Sequence, residues 1–163
     1  MQIVAVSGRK GQGKTITASL LPLYLRDKRC FIMSYYEAME YVSPGISRFE
    51  VNTVKAAITT TCPNFFTDAI KLKRELYRGI YDVLIIDDIE TEYDMQKIKH
   101  ELGAVIIGVV KEFPYSVPYK AREELISDIM GEPDIIVKNE MTMNKLHVQV
   151  FNAVEKLKKE YCI

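Results

Sequence analysis

Residues 2–15 read QIVAVSGRKGQGKT. An apolar run, Ile3 to Val6, meets Ser7 and then Gly8-Arg9-Lys10-Gly11-Gln12-Gly13-Lys14-Thr15. The spacing is G-x-x-x-x-G-K-[ST], with a strand pattern before it and a helix pattern after it. Glycines at these positions let the chain curl until successive N–H groups converge on phosphate oxygens. A helix starting where the loop ends adds free N–H groups and the positive end of its dipole. The expected nucleotide contacts are Gly8, Arg9, Lys10, Gly11, Gln12, Gly13, Lys14, Thr15 and Ile16. Lys14 is expected to reach the β- and γ-phosphates of ATP, and the Thr15 hydroxyl to hold Mg²⁺.

A second stretch supports the first. Residues 81–88, YDVLIIDD, form a continuous apolar run that ends in two carboxylates. A run apolar on both faces implies a strand buried in a parallel sheet. In such sheets the ligand lies beyond the carboxyl ends of the strands, where the glycine loop also sits. Asp87 or Asp88 is therefore expected to help hold Mg²⁺ or to position an attacking oxygen, and both join Lys14 as catalytic candidates. Side chains alternate across a strand, so the two are not expected to face the metal equally.

Composition bounds the reading. At 163 residues the chain is expected to be one domain, globular and soluble, with 48 % hydrophobic and 27 % charged residues. Its formal net charge is zero, which argues against a protein that coats nucleic acid or a membrane surface. Cys30, Cys62 and Cys162 show no metal spacing and read as reduced thiols, implying a cytoplasmic location. The apolar start is too short for a signal peptide, and Ala104 to Val110, the longest apolar stretch, is too short for a membrane span. Partners are expected to be small molecules, with the chain acting as a monomer or homodimer.

Along the chain, strand patterns alternate with helix patterns. A helix is expected over 15–26, kinked or shortened by Pro22. Cys30 to Met33 reads as a strand, leading through Ser34-Tyr35-Tyr36 into a helix to about Val42. Residues 46–63 are weakly patterned, and Thr59-Thr60-Thr61 with Pro63 is expected to stop any helix there. A helix follows from Asn64 to Gly79. Thr91-x-x-Asp94 opens the next helix, which ends at Gly103. Residues 104–110 and 134–137 read as strands, 119–130 and 142–160 as helices. Five alternations imply a doubly wound, mostly parallel five-stranded sheet with helices on both faces, an α/β P-loop fold. Within the single domain, residues 36–80 are expected to form an acceptor-side insertion and 112–130 a lid.

Phosphoryl transfer needs positive charge on the transferring group beyond Lys14 and a metal. The candidates are Arg9, Lys10, Lys111, Lys120 and Arg122, of which Lys111, fixed at a core strand's end, and Arg122, on the possible lid, are named catalytic. His100 and His147 read as surface or packing residues. Tyr35, Tyr36 and Tyr41 are placed either to stack a base or to pack beneath a loop.

These residues together resemble the deoxynucleoside monophosphate kinases of tailed phages, in the P-loop kinase superfamily. Ser7-Gly8-x-Lys10-x-x-Gly13-Lys14 looks like that family's S-G-x-K-x-S-G-K-D. Ser34 to Met39 is similar to its nucleoside-side entry, Asp88 to Ile107 to its D-x-R helix and following strand, and Pro133 to Asn139 to its closing D-x-V-I-x-N. The resemblance implies ATP-dependent phosphorylation of a (deoxy)nucleoside monophosphate. Four features differ: Glu90 stands at the arginine of D-x-R, Thr15 at the family's aspartate, Gln12 at its serine, and the 36–80 region is short. Two alternatives stand beside it. One is a P-loop ATPase of helicase-loader or ParA/MinD type, acting in assembly or DNA transactions. The other is a nucleotide-binding domain without turnover.

Overall fold

The computed structural model describes residues 1–37, 48–111, 131–140 and 142–163, with backbone alone for 48–52. The expected helix over 119–130, with Lys120 and Arg122, lies outside the described residues, as do Tyr41 and the rest of 38–47.

Strand β1 (Gln2–Ser7) leads through the glycine loop into helix α1 (Lys14–Tyr24). Strand β2 (Cys30–Ser34) follows, then α2 (Arg48–Thr61), α3 (Phe65–Leu76), β3 (Val83–Ile89) and α4 (Glu92–Leu102). The chain then forms β4 (Val105–Lys111), β5 (Ile135–Asn139) and α5 (Met143–Tyr161). The five strands lie in the order β2-β3-β1-β4-β5, and every pairing is parallel. The tip of β1 is thus flanked by the tips of β3 and β4, the place where an open α/β sheet takes its ligand.

The period-2 alternation of β1 divides the core in two. Val4 and Val6 point to one face, with Ile85, Ile107 and Val109, and pack under Leu21 of α1 and Val150 and Val154 of α5. Ile3 and Ala5 point to the other, with Leu84, Ile86 and Ile106, and pack under Phe66 and Ile70 of α3 and Met95 and Ile98 of α4. A sheet buried on both faces explains why its strands read as unbroken apolar runs.

Several boundaries followed their local chemistry. Thr91 Oγ1 accepts the Asp94 N–H at 3.1 Å at the start of α4, and Gly103 closes that helix in the left-handed conformation. Pro22 stands inside α1, which ends two residues later at Tyr24, with the Leu25 N–H on the Leu21 carbonyl. Residues 48–61 depart from expectation. The threonine run does not stop α2, because the Thr60 and Thr61 hydroxyls donate to the carbonyls of Ala56 and Ala57, at 2.8 and 2.7 Å. Hydroxyls satisfied within their own helix offer the backbone no alternative, and the chain leaves the helix only before Pro63.

Candidate active site

The glycine loop follows the tip of β1 and leads into α1. Gly8, at φ +151°, donates its N–H to the Ile89 carbonyl at 3.1 Å. A Cβ there would meet the Val109 carbonyl oxygen at 2.7 Å. Gly13, at φ +97°, is pressed so closely that a Cβ would meet Asn139 Nδ2 at 2.6 Å. That same Asn139 amide donates to the Gln12 carbonyl at 2.9 Å. The Gln12 side chain is also spent on the loop, since its Oε1 accepts the Arg9 N–H at 2.5 Å. The loop is therefore held from inside by Gln12 and from beneath by the end of β5. Arg9, Lys10 and Ile16 are exposed around it.

Lys14 opens α1 and is 5 % exposed. Its Nζ donates to the Arg9 carbonyl at 3.2 Å and to Glu90 Oε1 at 3.2 Å, and stands 3.6 Å from Asp88 Oδ1. The ammonium thus has a carbonyl and two carboxylates around it, which is the environment that a polyphosphate would replace.

The two aspartates reach the loop by a route the sequence hides. The β1–β3 register runs Ala5 opposite Ile86 but Ser7 opposite Ile89, so β3 carries one extra residue at Asp87-Asp88. At this bulge Asp88 takes φ +70°, a left-handed conformation that is uncommon for a non-glycine residue. Its N–H turns back onto Asp87 Oδ1 at 2.6 Å. Strict alternation would send one carboxylate away. The bulge instead brings both to the loop, each to a different partner. Asp87, buried, lies near enough to the Thr15 hydroxyl to feel it, and Asp88 pairs with Lys14. Burial raises the Asp87 carboxyl above the usual aspartate range; the Thr15 hydroxyl and the Asp88 N–H pull the other way without cancelling it.

This donor set suits Mg²⁺ held jointly with a nucleotide. A hydroxyl and a carboxylate oxygen stand side by side at the loop's end. Among the described residues no cluster of three or more His, Cys, Asp or Glu forms a protein-only cage. Mg²⁺ ordinarily takes one or two protein oxygens and fills the rest with water and phosphate.

Lys111 lies at the tip of β4, in register with Asn139. Beside the loop, on the β2 side, Tyr35 is buried and donates to Asp94 Oδ1 at 3.0 Å, which makes it a packing residue. Asp94 also receives Lys55 Nζ at 2.7 Å and the Thr91 hydroxyl at 2.5 Å. Lys55 Nζ lies 2.5 Å from the Tyr36 hydroxyl, which places Tyr36 between this buried network and the rim. His147 packs on α1 through the Tyr24 hydroxyl at 2.6 Å, and His100 is on the surface beside Gln96. The contacts missed by sequence reasoning are those of Glu90, Asn139, Lys55 and the Gln12 side chain. Glu90 and Gln12 carried a signal as departures from the resembled motifs, and Asn139 as the end of the closing one; Lys55 carried none.

The sequence matches no protein-family model and no curated protein. Solved structures do match it. Shikimate kinase from Aquifex aeolicus is 17 % identical with a TM-score of 0.56, over 95 % of this chain and 96 % of that one. The tunicamycin resistance protein of Deinococcus radiodurans is 14 % identical with a TM-score of 0.52, over 98 % and 95 %. A sugar kinase from Janibacter sp. is 13 % identical with a TM-score of 0.50, over 95 % of each chain. The chain has the α/β fold of P-loop kinases. Among the described residues, no helix is long and apolar enough to cross a membrane.

Proposed function

We propose that the protein binds ATP with Mg²⁺ at the glycine loop and transfers the γ-phosphoryl group to a small acceptor. The observation that carries this reading is the bulged end of β3, which brings Asp87 near Thr15 and pairs Asp88 with Lys14 at the glycine loop. The loop amides and Lys14 would hold the phosphates, and Thr15 with Asp87 would hold the metal. Bound Mg²⁺ supplies positive charge that offsets the charge developing on the transferred group. The chain's own task is positioning. Asn139 and Gln12 fix the loop, burial fixes Lys14, and Lys111 offers a cation from the tip of β4. Similarity in fold to two named kinases supports the same reading. Residues 36–80 would form the acceptor side; the lid expected at 112–130, with Arg122, lies outside the described residues.

The resemblance in sequence implies a (deoxy)nucleoside monophosphate as acceptor, and nothing in the fold comparison adds to that implication. ADP release in the presence of ATP and Mg²⁺, measured across acceptor classes, tests the function. Stimulation by an acceptor, abolished in Lys14→Ala, supports it. Hydrolysis indifferent to every acceptor but stimulated by DNA favours the ATPase alternative.

A further inference from the structure

Phosphates bound in the loop take Lys14 as their cation. Its present carboxylate partners, Asp88 and Glu90, then lose their counter-charge. Both lie on the rim, with side chains 41 % and 36 % exposed. The two described lysines nearest Tyr36 are already matched. Lys55 is held by Asp94 at 2.7 Å, and Lys73 lies 2.9 Å from Glu37, the residue after Tyr36. The Tyr36 phenol sits in the same field: its ionisation is pushed well up, first by burial and then by the charges of Asp94, Glu90 and Asp88. An ionised carboxylate accepts hydrogen bonds and donates none. A phosphate monoester brings negative charge and acceptor oxygens, so it meets repulsion there and no donor. Hydroxyl and ammonium groups bring the donors these carboxylates lack.

We infer that the acceptor, in the phosphoryl-transfer reading on which this rests, presents hydroxyl or ammonium groups to Asp88 and Glu90 and carries no phosphate of its own. Its class is the sugar, aminosugar or nucleoside rather than the nucleoside monophosphate. Glu90, in the place of the D-x-R arginine, is the residue that sets this choice. Transfer forms a bond from the acceptor oxygen to the γ-phosphorus, breaks the β–γ bridging bond and releases ADP; the acceptor's hydroxyl proton is released with it.

The test measures ADP release with ATP and Mg²⁺ on matched probes: thymidine against thymidine monophosphate, glucose against glucose 6-phosphate, and glucosamine. ATP binding is measured separately by calorimetric titration. In the wild type, at least one unphosphorylated probe is expected to give a kcat/KM ten-fold or more above its phosphorylated counterpart (~1.4 kcal/mol). Glu90→Gln is expected to narrow that ratio and Glu90→Lys to reverse it, chiefly through acceptor KM, a change that a merely structural residue would not produce. The inference is overturned if the phosphorylated member is preferred by the wild type, if no unphosphorylated probe stimulates release, or if Glu90→Lys leaves the ranking unchanged. A wild type that binds ATP yet prefers monophosphates removes this inference alone. A wild type that binds no ATP removes the phosphoryl-transfer reading as well.

Discussion

At the scale of single residues, the site stores unfavourable contacts that a ligand would relieve. Asp87 is the clearest case. Its folded-state carboxyl titrates above the ordinary range because burial disfavours the charged form. A raised aspartate means that the folded state binds more protons than the unfolded state between the two values. Stability therefore falls as pH rises through that window and stays reduced at neutral pH. Asp87→Asn, which keeps an acceptor for the Thr15 hydroxyl and the Asp88 N–H, is expected to raise the metal-free melting temperature at neutral pH. The advantage should vanish below about pH 4, where the aspartate is protonated in both states. Melting curves of the two proteins across pH check the sign. Asp88 stores backbone strain instead, at φ +70°. Asp88→Gly is expected to fall within about 1 kcal/mol of wild type, since relief of strain offsets a freer unfolded chain. Asp88→Val should cost about 1–3 kcal/mol, because a β-branched residue resists that conformation. Urea denaturation of the two variants separates these outcomes.

At the scale of elements, α3 shows how the second core is held. Ile70 is 1 % exposed in the core beneath the sheet, while Leu72, two residues on, is 62 % exposed. Truncating each to alanine removes similar chemistry from opposite environments. Ile70→Ala is expected to cost about 2–5 kcal/mol, and Leu72→Ala less than about 0.5 kcal/mol. Equal losses in denaturant titrations would mean that α3 does not pack as described. The junction of the loop with β5 belongs to this scale too. Asn139 bonds the Gln12 carbonyl and touches Gly13, so the end of the last strand shapes the loop after the first. Asn139→Ala is expected to weaken ATP binding with little change in melting temperature. A large stability loss with unchanged ATP affinity would make Asn139 a structural residue only.

At the scale of the whole molecule, what the sequence made legible was what depends on local pattern. The loop's spacing, the apolar runs of β1, β3 and β4, and the caps at Thr91 and Gly103 each carry their signal within a few residues. What stayed hidden depends on register or on partners far away in the chain. The bulge at Asp87-Asp88 shows only against β1, so alternation could say that the two aspartates would not face the metal equally but not that both would reach the loop. Asn139 meets the loop across more than a hundred residues; the resemblance placed it in a closing motif, but nothing in that motif pointed to the loop. Helix α2 was missed because threonines read as breakers until their hydroxyls are seen on the carbonyls of Ala56 and Ala57. Glu90 was legible as a departure, but its contact with Lys14 was not.

The Arg9 carbonyl, Asp88 and Glu90 meet at one ammonium group, that of Lys14. Calorimetric titration of ATP with Mg²⁺ into the wild type and into Lys14→Ala is the most direct test of the site. The wild type is expected to bind with a sub-millimolar Kd, and Lys14→Ala to remain folded and lose about 10²–10³-fold in affinity. A wild type that shows no binding at millimolar ATP, or a Lys14→Ala variant that binds equally well, would contradict the assignment of this loop as the phosphate site.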